Sequence, residues 1–172
     1  MTIGHAIGSL HKNVIAYYFG SKEALIEAIY RYRLPYLDQR RAELLAKADA
    51  VGQGHDVAAL MDIAWRPLFE QTNAEGKHSF AGFLSQLAGW AWTRTAQNPE
   101  YPETNKVAAR LRECLPSEID ARFDERMQLI AGMIFVTLQL IDREQLGRRE
   151  AEKAFVEAVD MASAALITPA RT

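Results

Sequence analysis

The sequence predicts an all-α fold, and three observations carry that prediction. Sustained two-residue alternation of apolar and polar side chains is absent, so no segment reads as a half-buried strand. Ala, Leu, Glu and Arg, which favour helices, dominate the chain. Gly and Pro fall mainly where they punctuate runs of helical apolar period. The pattern amounts to about eight helices, the first three short or incomplete.

Gly8 lies between two short helical pieces, the second covering Lys12 to Phe19. Gly20-Ser21 separates that piece from a long helix, which Ser21 caps and Glu23 favours through the helix dipole. Leu25, Ile26, Ile29 and Tyr30 share one face of it. Pro35 is expected to kink or break the helix before Tyr36 to Ala48 resumes the pattern. Gly52-Gln53-Gly54 is a loop, and Asp56 caps a helix to about Gln71. After a loop at Asn73 to Lys77, Ser79 opens an aromatic-rich helix ending near Thr95. Asn98 to Thr104 reads as an irregular crossover, followed by a helix from about Asn105 to Cys114. Pro116-Ser117-Glu118 begins a helix to about Gln145, Gly147 ends it, and a last helix spans about Arg148 to Ile167.

Composition narrows the class. With 172 residues, 49% hydrophobic and 24% charged, the chain can bury a sizeable core. No apolar run reaches the roughly 18 residues of a membrane span, and no signal-peptide pattern opens the chain. Cys114 is the single cysteine, which excludes an internal disulfide framework and suits a reducing cytoplasm. Four scattered histidines offer no metal-ligand spacing. From Met1 to Lys47 seven basic residues face four acidic ones, a net of +3 within a total of −2, so the remainder is −5. A basic head on an acidic body suits a protein that brings one end to phosphates.

The segment Gly8 to Leu25 concentrates the functional signal. Ser9, His11, Lys12 and Asn13 cluster at the start of the short helix, while Val14, Ile15 and Phe19 are available to pack inward. In a helix-turn-helix that end enters the major groove, where Lys can donate to guanine and Asn can pair with adenine. Tyr17 and Tyr18 place hydroxyls one turn later, at a reach suited to phosphate oxygens. Ser21-Lys22 opens the next helix with free N–H groups and a lysine, a second phosphate anchor. Taken alone, the aromatic triplet fits the core of any helical hairpin, and Lys12 fits a solvated surface.

Tyr17-Tyr18-Phe19-Gly20-Ser21-Lys22-Glu23-Ala24-Leu25 resembles the signature of TetR-family transcriptional regulators. Gly8 falls where that family has the turn glycine before its recognition helix. The resemblance in residues covers about Ile3 to Tyr30, and the later helix order is similar but less specific. It implies a partial helix-turn-helix DNA-binding domain over 1–46 and a ligand-binding and dimerisation domain over 47–172. It also implies double-stranded operator DNA, a second copy of the chain and a small-molecule inducer as partners, with no cofactor. The family carries about a helix and a half before the position of Gly8, where this chain offers Met1 to Ile7. The head is therefore expected to be truncated and operator binding by this polypeptide to be poor.

In the body, Trp65, Phe69, Phe80, Phe83, Trp90, Trp92 and Tyr101 gather most of the aromatic side chains. Such a cluster fills a core or lines a cavity between helices. Trp65, Arg66, Phe69, Phe83 and Trp90 are the candidate pocket, with Pro67 disturbing the helix beside them and Arg66 able to meet an anion. On the penultimate helix Met127, Ala131, Ile134 and Leu138 belong to an apolar stripe. On the last, Ala154, Ala158 and Ala162 belong to a stripe of small side chains. Two such helices from each of two subunits make a four-helix interface, and a monomeric core explains the larger stripe equally well. No nucleophile motif, phosphate loop or metal set points to an enzyme. The competing reading is a dimeric helical small-molecule binder without DNA-binding activity.

Overall fold

The computed structural model describes residues 18–87 and 99–169. Among them are seven helices and no strand: α1 (Lys22–Ala50), α2 (Val57–Glu70), α3 (Ser79–Ser85), α4 (Pro102–Glu113), α5 (Ser117–Asp120), α6 (Phe123–Glu144) and α7 (Arg148–Ile167). The chain divides into two compact units at Tyr36/Leu37.

Gly20 takes φ +74°, a left-handed conformation that glycine adopts without strain. It leads into Ser21, whose Oγ accepts the Ala24 N–H at 3.1 Å and caps α1. The expected break at Pro35 does not occur, and α1 runs unbroken from Lys22 to Ala50. Pro35 has no N–H for the Arg31 carbonyl. Both residues are exposed, so water can satisfy that acceptor and the helix continues. In the first unit Ile26, Tyr30 and Leu34 are the buried face of α1, with Leu25 and Ile29 half-buried.

In the second unit Asp56 Oδ1 caps α2 by accepting the Ala59 N–H at 2.8 Å. Pro67 is buried within that helix. The α3 helix ends at Ser85, and most of its expected continuation to Thr95 lies outside the described residues. The crossover expected up to Thr104 is shorter, because α4 already begins at Pro102. Proline suits the first helical position, where its missing N–H has no intrahelical partner to lose. The expected helix from Pro116 to Gln145 is two helices, interrupted at Ala121–Arg122. At the interruption the Asp120 carbonyl accepts from Arg112 at 3.3 Å instead of continuing the ladder. Gln145, not Gly147, turns the chain out of α6, with φ 52°. Gly147 instead stands at the N-cap of α7.

The core of this unit lies mainly between α6 and α7, with α2 against α7 and α4, and α3 against α6. Phe123, Met127, Ile130, Ile134, Leu138 and Ile141 form the buried face of α6 at three- and four-residue spacing. Phe155, Ala158, Val159, Ala162 and Leu166 answer it from α7. Arg126 closes the far end of α7, donating to the carbonyls of Ala165, Leu166 and Thr168 at 3.1, 2.7 and 2.6 Å. These oxygens are the acceptors that a helix C-terminus leaves without intrahelical partners.

Candidate functional site

Of the residues read as DNA contacts, Tyr18 and Lys22 are described, and both are exposed, Tyr18 at 72%. Ser9, His11, Lys12, Asn13 and Tyr17 lie outside the described residues. Lys22 stands in the first turn of α1, directly after the Ser21 cap, where N–H groups and the helix dipole favour anions. Phe19, expected to pack inward, is 40% exposed.

The candidate pocket residues fall into separate clusters. Trp65 is 8% exposed and meets Phe135 of α6 edge-on, with centroids 6.2 Å apart. Its Nε1–H is buried without a hydrogen-bond acceptor. Phe69 instead stacks on Phe155 at 4.4 Å and on His78 at 5.5 Å. Phe83 stacks on Phe80 at 6.0 Å, and Trp90 lies outside the described residues.

Arg66 is already engaged. Its guanidinium donates to Asp62 at 2.6 Å and to Glu152 of α7, and it covers the Phe155 ring at 4.7 Å. Burial works against its charge, but the hydrogen bonds to Asp62 and Glu152 more than offset this and raise its pKa. Asp62, Arg66 and Glu152 together carry one excess negative charge, so this cluster fastens α2 to α7 and repels an anionic ligand.

Two buried polar clusters were not legible as sites. His78 is 5% exposed and bridges two elements. Its backbone N–H donates to Asp142 Oδ2 at 2.8 Å, its Nδ1 lies 2.7 Å from Asp142 Oδ1, and its Nε2 lies 3.0 Å from the Phe69 carbonyl. Both ring nitrogens thus face oxygen acceptors, an arrangement that ties the end of α2 and the start of α3 to the end of α6.

The second cluster joins α1, α2 and α4. Asp38, 8% exposed, accepts from the Glu103 N–H at 3.2 Å and from the Thr104 N–H and hydroxyl at 2.7 Å each. A carboxylate from α1 therefore caps α4, whose own N-cap residue, Tyr101, does not cap it with its side chain. Arg41 donates to Thr104 Oγ1 at 3.0 Å and, through two N–H groups at 3.2 and 2.9 Å, to the Ala64 carbonyl. That carbonyl lies one turn before Pro67, where the proline ring disturbs the ladder. Burial pushes the Arg41 guanidinium down to about 10, with Asp38 opposing the shift. The signal in the sequence was an Asp and an Arg three apart on one helix, which reads equally well as a solvated pair.

The residues read as a subunit interface are mostly inside the chain. Met127, Ala131, Ile134, Leu138, Ala158 and Ala162 are buried, and only Ala154 is half-buried. The opposite face of α6 is also apolar: Leu129, Val136 and Leu140 are exposed at 77%, 55% and 40%, with Gly132 and Met133 between them. No charged residue occurs from Met127 to Ile141, so the outer face runs several turns without the charges of an ordinary solvated helix. Val156, Met161 and Ile167 are exposed on α7.

Among the described residues no helix is long and apolar enough to cross a membrane, and no three His, Cys, Asp or Glu side chains are placed to hold a metal ion. Comparison with family models, with curated proteins and with solved structures returned no match. What stands is an all-α chain with an anion-favouring helix start, a buried unpartnered indole donor and a helix apolar on two faces.

Proposed function

We propose that the chain is a TetR-like DNA-binding transcriptional regulator, a repressor controlled by a small-molecule ligand and acting as a homodimer. The observation that carries this reading is the segment Tyr17 to Leu25, with its glycine turn, serine cap and exposed lysine at the start of α1. The basic balance of the first 47 residues supports it. The DNA contacts in this reading are Ser9, His11, Lys12, Asn13, Tyr17, Tyr18 and Lys22. Ligand and operator then alter each other's affinity reciprocally.

The outer face of α6, with Val156 and Met161 of α7, is the subunit interface in this reading, and the stripes first read as interface stay within each subunit. Val136→Glu places a charge on that outer face without touching the chain's own core. Light scattering is expected to show a dimer for the native protein and a monomer for the variant, with unchanged helical circular dichroism. A native monomer at micromolar concentration refutes the interface.

Gel-shift titration against the DNA upstream of the coding region tests the regulator. Weak but sequence-specific retention is expected, falling with salt, and Lys22→Ala lowers the salt slope by about one. The second reading, a dimeric small-molecule binder without DNA activity, draws on the unpartnered Trp65 donor. A folded, ligand-binding dimer that retains no specific DNA at any salt moves the conclusion to it.

A further inference from the structure

Buried polar groups in proteins are almost always hydrogen-bonded, and one that is not requires an explanation. Trp65 Nε1 is such a group: the side chain is 8% exposed, and the indole N–H has no acceptor. The same helix holds a second one at its C-cap, Gln71, whose Oε1 is buried without a donor. Both lie on α2, whose last turn also contains Pro67, a residue with no N–H for the Ile63 carbonyl.

The surroundings select the chemistry of a partner. Trp65 meets the ring of Phe135, so the surface beside the donor is apolar and matches an aromatic or aliphatic body. The nearby cations are committed: Arg66 to Asp62 and Glu152, Arg41 to the Ala64 carbonyl and Thr104. An anion buried there would exchange its hydration for a single neutral donor beside an aromatic ring, whereas a neutral oxygen acceptor gives up far less on leaving water.

We infer that Trp65 anchors a small-molecule site between α2 and α6, and that the site takes a neutral, largely apolar ligand bearing a carbonyl or ether oxygen. The ligand's oxygen accepts from Nε1, and its apolar body packs against Phe135. This rests on the reading that the body binds a small molecule, and it names the ligand class. Because the Ala64 carbonyl next to Trp65 is held by Arg41, a ligand at this point of α2 acts one residue from the bond to α1.

Three probes of similar size test it on the full chain: acetophenone, ethylbenzene, which lacks the oxygen, and benzoate, which is anionic. The readouts are thermal stability and the indole N–H resonances in a ¹⁵N-labelled sample. The Trp65 resonance is assigned by its loss in Trp65→Phe, or by elimination with Trp90→Phe and Trp92→Phe should that variant not fold. Acetophenone is expected to raise the melting temperature and move the Trp65 resonance, ethylbenzene to bind at least about fivefold more weakly, and benzoate not to bind. Trp65→Phe is expected to lose the preference for the ketone. Equal binding of ketone and hydrocarbon, or preferred binding of benzoate, overturns the ligand class. Stabilisation by acetophenone that leaves the Trp65 resonance still and persists in Trp65→Phe overturns the anchor but leaves the small-molecule reading standing. If no probe acts at all the anchor also falls, and the regulator reading is then judged by DNA binding alone.

Discussion

Removing the Asp38 carboxylate tests the buried junction of α1, α2 and α4 most directly. Asp38 accepts three hydrogen bonds, from the Glu103 N–H, the Thr104 N–H and the Thr104 hydroxyl. Hydrogen bonds to a charged group contribute about 1.5–3 kcal/mol each, though three sharing one carboxylate do not add fully. Two of these three bonds are the cap of α4, so its loss is already contained in that figure. Asp38→Ala also leaves the buried Arg41 cation without the nearby anion that offsets its burial. A total near 3–5 kcal/mol follows, or a fall in Tm of roughly 6–20 °C at this chain length. Asp38→Asn keeps one acceptor oxygen but turns an N–H group toward donors, so about half that loss is expected. Thermal and urea denaturation followed by circular dichroism, at fixed protein concentration, measure both. An alanine variant within about 3 °C of the native protein, or an asparagine variant less stable than the alanine one, refutes the reasoning.

Gln145 holds φ 52° at the end of α6, so Gln145→Gly is expected to stabilise by about 0.5–1 kcal/mol, a rise in Tm of roughly 1–4 °C. A fall in Tm would show that its side chain matters more than its backbone. Burial pushes the Tyr30 phenol up to about 12. The folded state therefore holds this proton while the unfolded state releases it near 10, so the contribution is complete below pH 10 and is lost as pH rises toward 12. Ultraviolet titration should show the last tyrosinate step vanish in Tyr30→Phe; an unchanged final step contradicts the assignment. His78→Phe keeps the stacking on Phe69 but removes the ring nitrogens that face Asp142 and the Phe69 carbonyl, and a loss of about 2–4 kcal/mol in urea denaturation is expected. Near-native stability would show that stacking alone holds that corner.

What could be read from the residues was what they do locally. Gly20-Ser21 and Asp56 announce helix starts because their effects act within one turn, and both caps are present. The start of α4 was hidden because its cap comes from Asp38, in another helix. Pro35 reads as a breaker, yet the freed carbonyl falls on the exposed side of α1, which spares the helix. Periodicity identified the apolar stripe through Met127 and Leu138 but could not tell core from interface. With no charge from Met127 to Ile141, both faces of α6 are apolar, and only packing distinguishes the inner from the outer. The pocket candidates shared a stretch of sequence, and Trp65 and Phe69 stand one turn apart on one face of α2. Each meets a different helix there, Phe135 of α6 and Phe155 of α7.

The unbroken course of α1 bears on how this protein can be dissected. Leu37, Asp38, Arg41 and Leu45 all belong to α1, and they also belong to the larger compact unit. A fragment starting after α1 would take hydrophobic side chains and a salt-like clasp out of the body it was meant to isolate. The natural cut lies inside a helix, between Tyr36 and Leu37, where no loop marks it. A fragment that starts at Leu37 keeps the part of α1 that belongs to the larger unit, while one that starts at a tidy element boundary does not.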